Sequence, residues 1–470
     1  MEKRYSFYLI IIFALLLNGC ASFTNVHRDN ISNFDNMILN NICDFSFIDR
    51  QIKKGDDIIL WSIQGGTLAK NCGNFEKSIN YFDRAEYHYK YDVDLISSFS
   101  AFGRKTTSLA LNNNLNSYDG NIYEKILVNT YKGIDFLVLN DKANARVEFN
   151  RALERQIIAK EYFSKEIETQ IKDNEENIED LGLEDQNSNT KEQYNSQGIN
   201  FNDTQKNILK KFINNPNSMI YPDFINPFTT YISALFLMLD DSYERAYSLF
   251  RENLEMDPNN PQIQKDFKLS DTFANSPQKR KEQKYVWLIY ESGLGPAKYE
   301  ERVDLPIFLF SNSLYYTGIA LPKLYFRNPS YEHLSIKNNS NDISRTYIIA
   351  DVDSIVAAEF NKRFKMIATE AVISATLKTV AQKQLNDIHQ LAGAIATIFQ
   401  IFTTKADVRN WSSLPKNFQA ASIPIKDGNI AILNEKNEII FKDKIKDDKD
   451  IIIYLKSAHE GQVIVDKIYF

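Results

Sequence analysis

Residues 226–261 constrain the fold of this chain more than any other stretch. Ala234 and Leu237 fall on one helical face, Asp241-Ser242-Tyr243 interrupts the pattern, and Ala246, Phe250 and Leu254 recur at four-residue spacing before Pro258. Residues three and four apart share a helix face, and proline cannot continue a helix. The spacing therefore predicts two helices joined by a tight turn and sharing one buried seam. Two looser versions lie upstream. In Asp56–Glu86, Gly66 and Ala69 precede a Gly73-Asn74-Phe75 turn, and Ile79, Phe82 and Ala85 follow; in Ile122–Gln156, Gly133 and Phe136 precede Asn140-Asp141, and Ala145, Phe149, Ala152 and Leu153 follow. The adjacent Gly65 and Gly66 weaken an isolated helix by about 1 kcal/mol each, and close helix contact is the usual reason to accept that.

The pattern resembles the tetratricopeptide repeat, a unit of about 34 residues in which small residues let two helices touch and an aromatic fills the gap between neighbours. The residues that carry the likeness are Gly66, Phe75, Phe82 and Ala85; Gly133, Ala145, Phe149 and Ala152; and Ala234, Tyr243, Ala246, Phe250 and Pro258. The resemblance implies stacked helix pairs over 36–160 and 216–275, offering a concave surface to a protein partner. Exposed Tyr and Phe on the inner helices would be its anchors.

The N-terminus specifies location. Lys3 and Arg4 precede an apolar run from Phe7 to Leu17 that is short for a membrane span, and Leu17-Asn18-Gly19-Cys20 resembles the bacterial lipobox. That likeness implies a signal peptide over 1–19, acylation of Cys20 and a polar tether over 20–35. Several acyl chains anchor firmly, because each buried methylene adds about 0.8 kcal/mol. Ala21, in place of Asp, implies sorting to the outer membrane of a Gram-negative cell, with the mature chain facing the periplasm. In that oxidising compartment Cys43 and Cys72 read either as a disulfide, closing a loop worth about 3.5 kcal/mol, or as two buried thiols on neighbouring helices.

A net charge of −6 with no sustained basic run argues against nucleic-acid binding. The acidic stretch 161–215 reads as a charged helix fading into a flexible insertion, without the Asp-x-Asp-x-Asp-Gly spacing of a calcium loop. After a polar linker over 270–284, period-two runs predict strands at 285–290, 305–310, 321–326, 346–349, 420–424, 429–433, 438–441, 451–454 and 463–470. Helices are expected over 354–380 and 391–402. Residues 276–470 thus read as an α+β domain, making the chain a multidomain protein with an all-α N-terminal part.

The residues point to no cofactor, metal or small-molecule substrate. The five histidines are scattered, and Gly293-Leu294-Gly295-Pro296 lacks the third glycine and the helix of a dinucleotide loop. Glu359 is expected to pair with Arg363 one helical turn on. Asp407, Arg409 and Trp411, inside Ala406–Pro415, read either as a charged aromatic contact surface or as a buried ion pair under an indole that locks a turn.

The lipobox, Gly133–Arg151, the 226–261 hairpin, Trp287–Pro306 and Ala406–Pro415 together resemble a family of bacterial tetratricopeptide-repeat lipoproteins that has no established activity. Its members are often encoded near lipoproteins resembling activators of peptidoglycan synthases. The resemblance implies a lipid-anchored periplasmic scaffold or adaptor that binds a protein partner in the cell envelope. The alternatives are a cell-wall or glycan hydrolase using Asp351, Asp353 or Asp407 with Arg409, and a structural subunit of an envelope complex.

Overall fold

The computed structural model describes residues 26–89, 118–160, 211–212, 226–278, 283–304, 318–340, 342–364, 367–368 and 406–470. Cys20, nearly all of the 161–215 insertion, the strand expected at 305–310 and the helix expected at 391–402 lie outside them.

The first described element corrects the tether. Val26–Leu39 forms helix α1, and Phe34 on it is fully buried, so the body of the protein begins ten residues before the expected boundary. Ser46–Lys54 is α2, Ile58–Asn71 is α3, Phe75–His88 is α4 and Ile122–Val138 is α5; residues 142–160 form α6. Pro227–Leu239 (α7), Tyr243–Met256 (α8) and Pro261–Asn275 (α9) follow. The first six residues of the polar linker expected over 270–284 therefore belong to the end of α9.

Local chemistry sets these boundaries. Asn226 and Asn260 each cap a helix whose first residue is proline, their side chains accepting from two backbone amides. Asn121 and Glu124 cap α5 reciprocally.

The three hairpins α3–α4, α5–α6 and α7–α8 share one internal register. A small residue (Gly66, Gly133, Ala234) is followed seven positions later by a left-handed residue (Gly73, Asn140, Asp241) and sixteen positions later by a buried phenylalanine (Phe82, Phe149, Phe250). Each turn closes through the same hydrogen bond five residues back, from Asn74 to Ala69, Asp141 to Phe136 and Ser242 to Leu237, at 2.8–2.9 Å. A Cβ on Gly133 would stand 2.7 Å from the Phe149 ring, and one on Gly66 would overlap Phe82.

The C-terminal half is rich in strands. Tyr285–Ser292 (β1), Ala297–Asp304 (β2), Gly318–Tyr325 (β3), Ser335–Asn338 (β4), Ile343–Arg345 (β5) and Tyr347–Asp351 (β6) come first, then helix α10 over 352–364. Asn417–Pro424 (β7), Asn429–Leu433 (β8), Ile439–Lys444 (β9), Ile451–Ser457 (β10) and Ile464–Tyr469 (β11) complete the chain. The main sheet runs β11-β10-β1-β7-β6, with β1 and β10 parallel and the other pairs antiparallel. A second sheet runs β5-β4-β8-β9, and β2 pairs with β3.

The alternation of side chains along β1 and β10 defines three layers. Trp287, Ile289, Ile452 and Tyr454 face the helices, whereas Val286, Leu288, Ile451 and Ile453 face the second sheet. The helix-then-sheet order matches the expected fold class, and one buried cluster runs from Phe34 on α1 to Ile468 on β11 across both parts. Helix α7 shows the consequence: all thirteen of its residues are buried, because α8 covers one side and the sheet region the other.

Gly66→Ala should destabilise the protein by about 2–3 kcal/mol in urea unfolding, since the added methyl meets an aromatic ring in a close-packed interior. Gly66→Ala with Phe82→Leu should recover part of that loss, as expected if the clash and not helix propensity is the cause.

Candidate functional site at the junction of helices and sheet

Residues 406–416 run between the helices and the main sheet without regular secondary structure, and almost every polar group on them has an assigned partner. Arg409 donates to Asp407 through Nε and Nη2 at 2.9 Å each, and through Nη1 to Asp57, just before α3, at 2.5 Å. Burial works to raise the Asp407 carboxyl, but the Arg409 guanidinium beside it holds it below the ordinary carboxylate range. The Trp411 amide donates to Glu124 at 3.0 Å and its indole Nε1 to Thr67 at 2.8 Å, while its ring stands against Phe82 and Tyr131. Gln64 on α3 donates to the Asn410 carbonyl and to Ser412, and accepts from Ser413.

The Gly293–Pro296 turn locks onto the other side of this segment. The Gly295 amide donates to the Leu414 carbonyl at 2.6 Å, and Asn410 Nδ2 donates to the Pro296 carbonyl at 2.8 Å. A side chain at Gly295 would meet the Pro415 carbonyl at 3.0 Å. Arg327 joins the set, donating to the Gly295 and Ser412 carbonyls and pairing with Asp35 of α1 at 3.2 Å.

A second polar cluster lies under α3 and α5. Glu291 and Lys456 are register partners on β1 and β10, on the helix-facing side. Lys456 donates to the Lys70 carbonyl at 2.9 Å and pairs with Asp466 at 3.0 Å. Lys70 Nζ sits 4.5 Å from the centre of the Tyr454 ring and 3.3 Å from Asp135, which also accepts from Ser78 at 2.6 Å. Burial pushes the Asp135 and Glu291 carboxyls up and the Lys456 ammonium down; Lys70 opposes the shift of both carboxyls.

These positions settle several expectations about individual residues. Arg409 and Trp411 are covered by the helices, at 3% and 1% exposure, and present no contact surface, while Asp407 is partly exposed beside them. Trp61, Tyr131, Phe228 and Phe236 on the inner helices are buried as well. Phe228 stacks on Phe418 of β7 at 3.7 Å, and Phe236 packs against Phe470. The inner helices thus pack on the chain's own sheet and on the 406–416 segment. Cys43 and Cys72 are disulfide-bonded. Glu359 pairs with Arg363 at 3.1 Å and also accepts from the Ile122 and Tyr123 amides, capping α5 from α10.

The acidic residues considered for hydrolysis have different partners. Asp351 accepts from the Ser354 amide at the start of α10, Asp353 pairs with Lys416, and Asp407 is held by Arg409. Among the described residues no group of three His, Cys, Asp or Glu side chains is placed to hold a metal ion. Lys70, Glu124, Asp135, Glu291 and Lys456 went unnoticed in the sequence. The one available signal was a charge on an otherwise apolar face: Glu291 alternates with Trp287 and Ile289, and Lys70 lies on a helix buried at twelve of its fourteen positions.

Breaking a buried pair leaves an uncompensated charge, so Arg409→Met should cost about 3–5 kcal/mol in urea unfolding. Asp353 tests the electrostatics by pH. Burial raises its carboxyl from 3.8 to about 6, so the stability it contributes is fully present below 3.8 and lost as pH rises through 6. Wild type should lose on the order of 2–3 kcal/mol through this group between pH 4 and 7, and Asp353→Asn should lack that slope.

Set against protein-family models, curated proteins and solved structures, the chain matches none of them.

Proposed function

We propose that this protein is a lipid-anchored scaffold of the bacterial cell envelope, built on tetratricopeptide-like helix pairs and held to the periplasmic side of the outer membrane through acylated Cys20. The observation that carries the reading is the common register of the three hairpins. Small residue, left-handed turn and buried phenylalanine recur at the same offsets, as in an array built to present surface. The lipobox-like Leu17–Cys20 supplies the location.

The partner is a protein, and it docks on the outer helices α4, α6 and α8. The inner helices are occupied internally, so the outer row and the loops between pairs offer the available helical surface. Val147, Ile157 and Ile158 on α6 are exposed apolar residues of the kind that anchor such contacts. The polar side chains at the junction are engaged in joining helices to sheet, which favours a binding role over hydrolysis.

A photo-crosslinking residue at Val147 or Ile158, introduced in cells, should capture one reproducible envelope protein, whereas the same probe at Gln64 or Tyr131 should capture none. Capture from Gln64 or Tyr131 alone would place the partner in the inner face and overturn the docking assignment. Cys20→Ser should abolish incorporation of labelled palmitate and release the protein from the membrane fraction; retention of the label would remove the anchor from the account.

A further inference from the structure

The disulfide joins the two places where the ends of helices grip one hairpin of the sheet. Cys43 lies in the exposed turn after α1, and Cys72 closes the C-terminus of α3, half-buried. Two residues before Cys72, the Lys70 carbonyl accepts from Lys456 on β10. Just before Cys43, the last turn of α1 accepts from the loop between β10 and β11. Gln462 Nε2 donates to the Ile38 carbonyl at 3.2 Å, and His459 Nε2 stands 3.0 Å from the Leu39 carbonyl.

Helix α1 is poorly equipped to persist without that staple. Its sequence, Val-His-Arg-Asp-Asn-Ile-Ser-Asn-Phe-Asp-Asn-Met-Ile-Leu, contains three Asn, two Asp and a Ser but no Ala or Glu. A helix of about 14 residues with such composition is unstable alone in water. What holds it is Phe34 against Trp61, Met37 and Ile38 in the core, and Asp35 with Arg327 and Ser412. The rest of that core cluster spans α3, α5, α7 and the main sheet.

We infer that the Cys43–Cys72 disulfide is a redox-sensitive clasp that controls the docking of α1, and that its reduction releases α1 while the remaining fold stays intact. The reductant is a dithiol. Its thiolate attacks the exposed Cys43 sulfur and forms a mixed disulfide, and the Cys72 thiolate leaves and takes up a proton. The second thiol of the reductant then breaks the mixed disulfide, leaving Cys43 as a thiol and the reductant oxidised. Release of α1 uncovers Trp61, now 3% exposed. Where Cys20 is acylated, which rests on the proposed function, release also lengthens the leash. It adds residues 26–42 to the chain between the anchor and the body.

Hydrogen exchange followed by mass spectrometry on the mature chain, with and without dithiothreitol, tests the clasp independently of lipidation. Reduction should speed exchange of the α1 amides about 100-fold and leave α3, α5, α7 and β1 within about 3-fold of the oxidised rates. The Cys43→Ser/Cys72→Ser double variant should behave like the reduced protein. Unchanged α1 exchange after full reduction, verified by thiol titration, would overturn the inference. So would acceleration across the whole molecule, which would make the bond a requirement of the fold and not a local clasp.

Discussion

Everything in this structure turns on the burial of Trp411 between two helix pairs and the main sheet. Its ring stands against Phe82 from the first hairpin and Tyr131 from the second, and its two N–H groups are satisfied by Glu124 and Thr67. An indole of this size buried with both donors met adds several kcal/mol of apolar burial without a desolvation penalty. Residues on either side of Trp411 extend the joint, with Arg409 reaching Asp57 and Ser412 reaching Asp35. This segment packs into the helical layer and continues into β7, which ties the helices to the sheet.

The buried charges beneath α3 and α5 act differently. Taking Lys70, Asp135, Glu291 and Lys456 out of water costs several kcal/mol per ion before pairing, so the cluster is weak evidence for net stability. Its effect is on geometry. Glu291 and Lys456 are neighbours across two parallel strands, and Lys70 and Asp135 descend from separate helix pairs. A shift of one helical turn would strand these groups in an apolar interior, and that penalty fixes how the helices sit on the strands. Aromatic contacts such as Phe228 on Phe418 tolerate more sliding and cannot do this alone.

Much of the architecture was legible because it rests on local periodicity. The helical hairpins follow from Gly66, Gly133 and Ala234 with their phenylalanines, and most described strands from two-residue alternation. Spacing alone leaves a disulfide and two thiols equally open, since it does not place Cys43 beside Cys72. Helix α1 was missed because its Asn and Asp content reads as a tether; only Phe34, Met37 and Ile38, buried by distant parts of the chain, make it helical. Strands β2, β4 and β5 were missed for a related reason, their charged or short sequences being paired by neighbours. The function of the 406–416 segment was half legible. An ion pair under an indole was one of its two readings, but Asp57, Thr67 and Glu124, which make it a joint, lie roughly 280–350 residues away in sequence. The Gly293–Pro296 turn likewise gains its meaning only from Leu414 and Asn410.

The central claim is that the helical array grips its own sheet. Native-state hydrogen exchange in low urea tests it most directly, by comparing α7, buried on every side, with β1 at the middle of the sheet. The account predicts that the slowest amides of both elements open with the same free energy and the same urea dependence, as parts of one cooperative unit. Amides of α7 that exchange through a lower-energy opening while β1 stays protected would show that the helices release the sheet, and would contradict it.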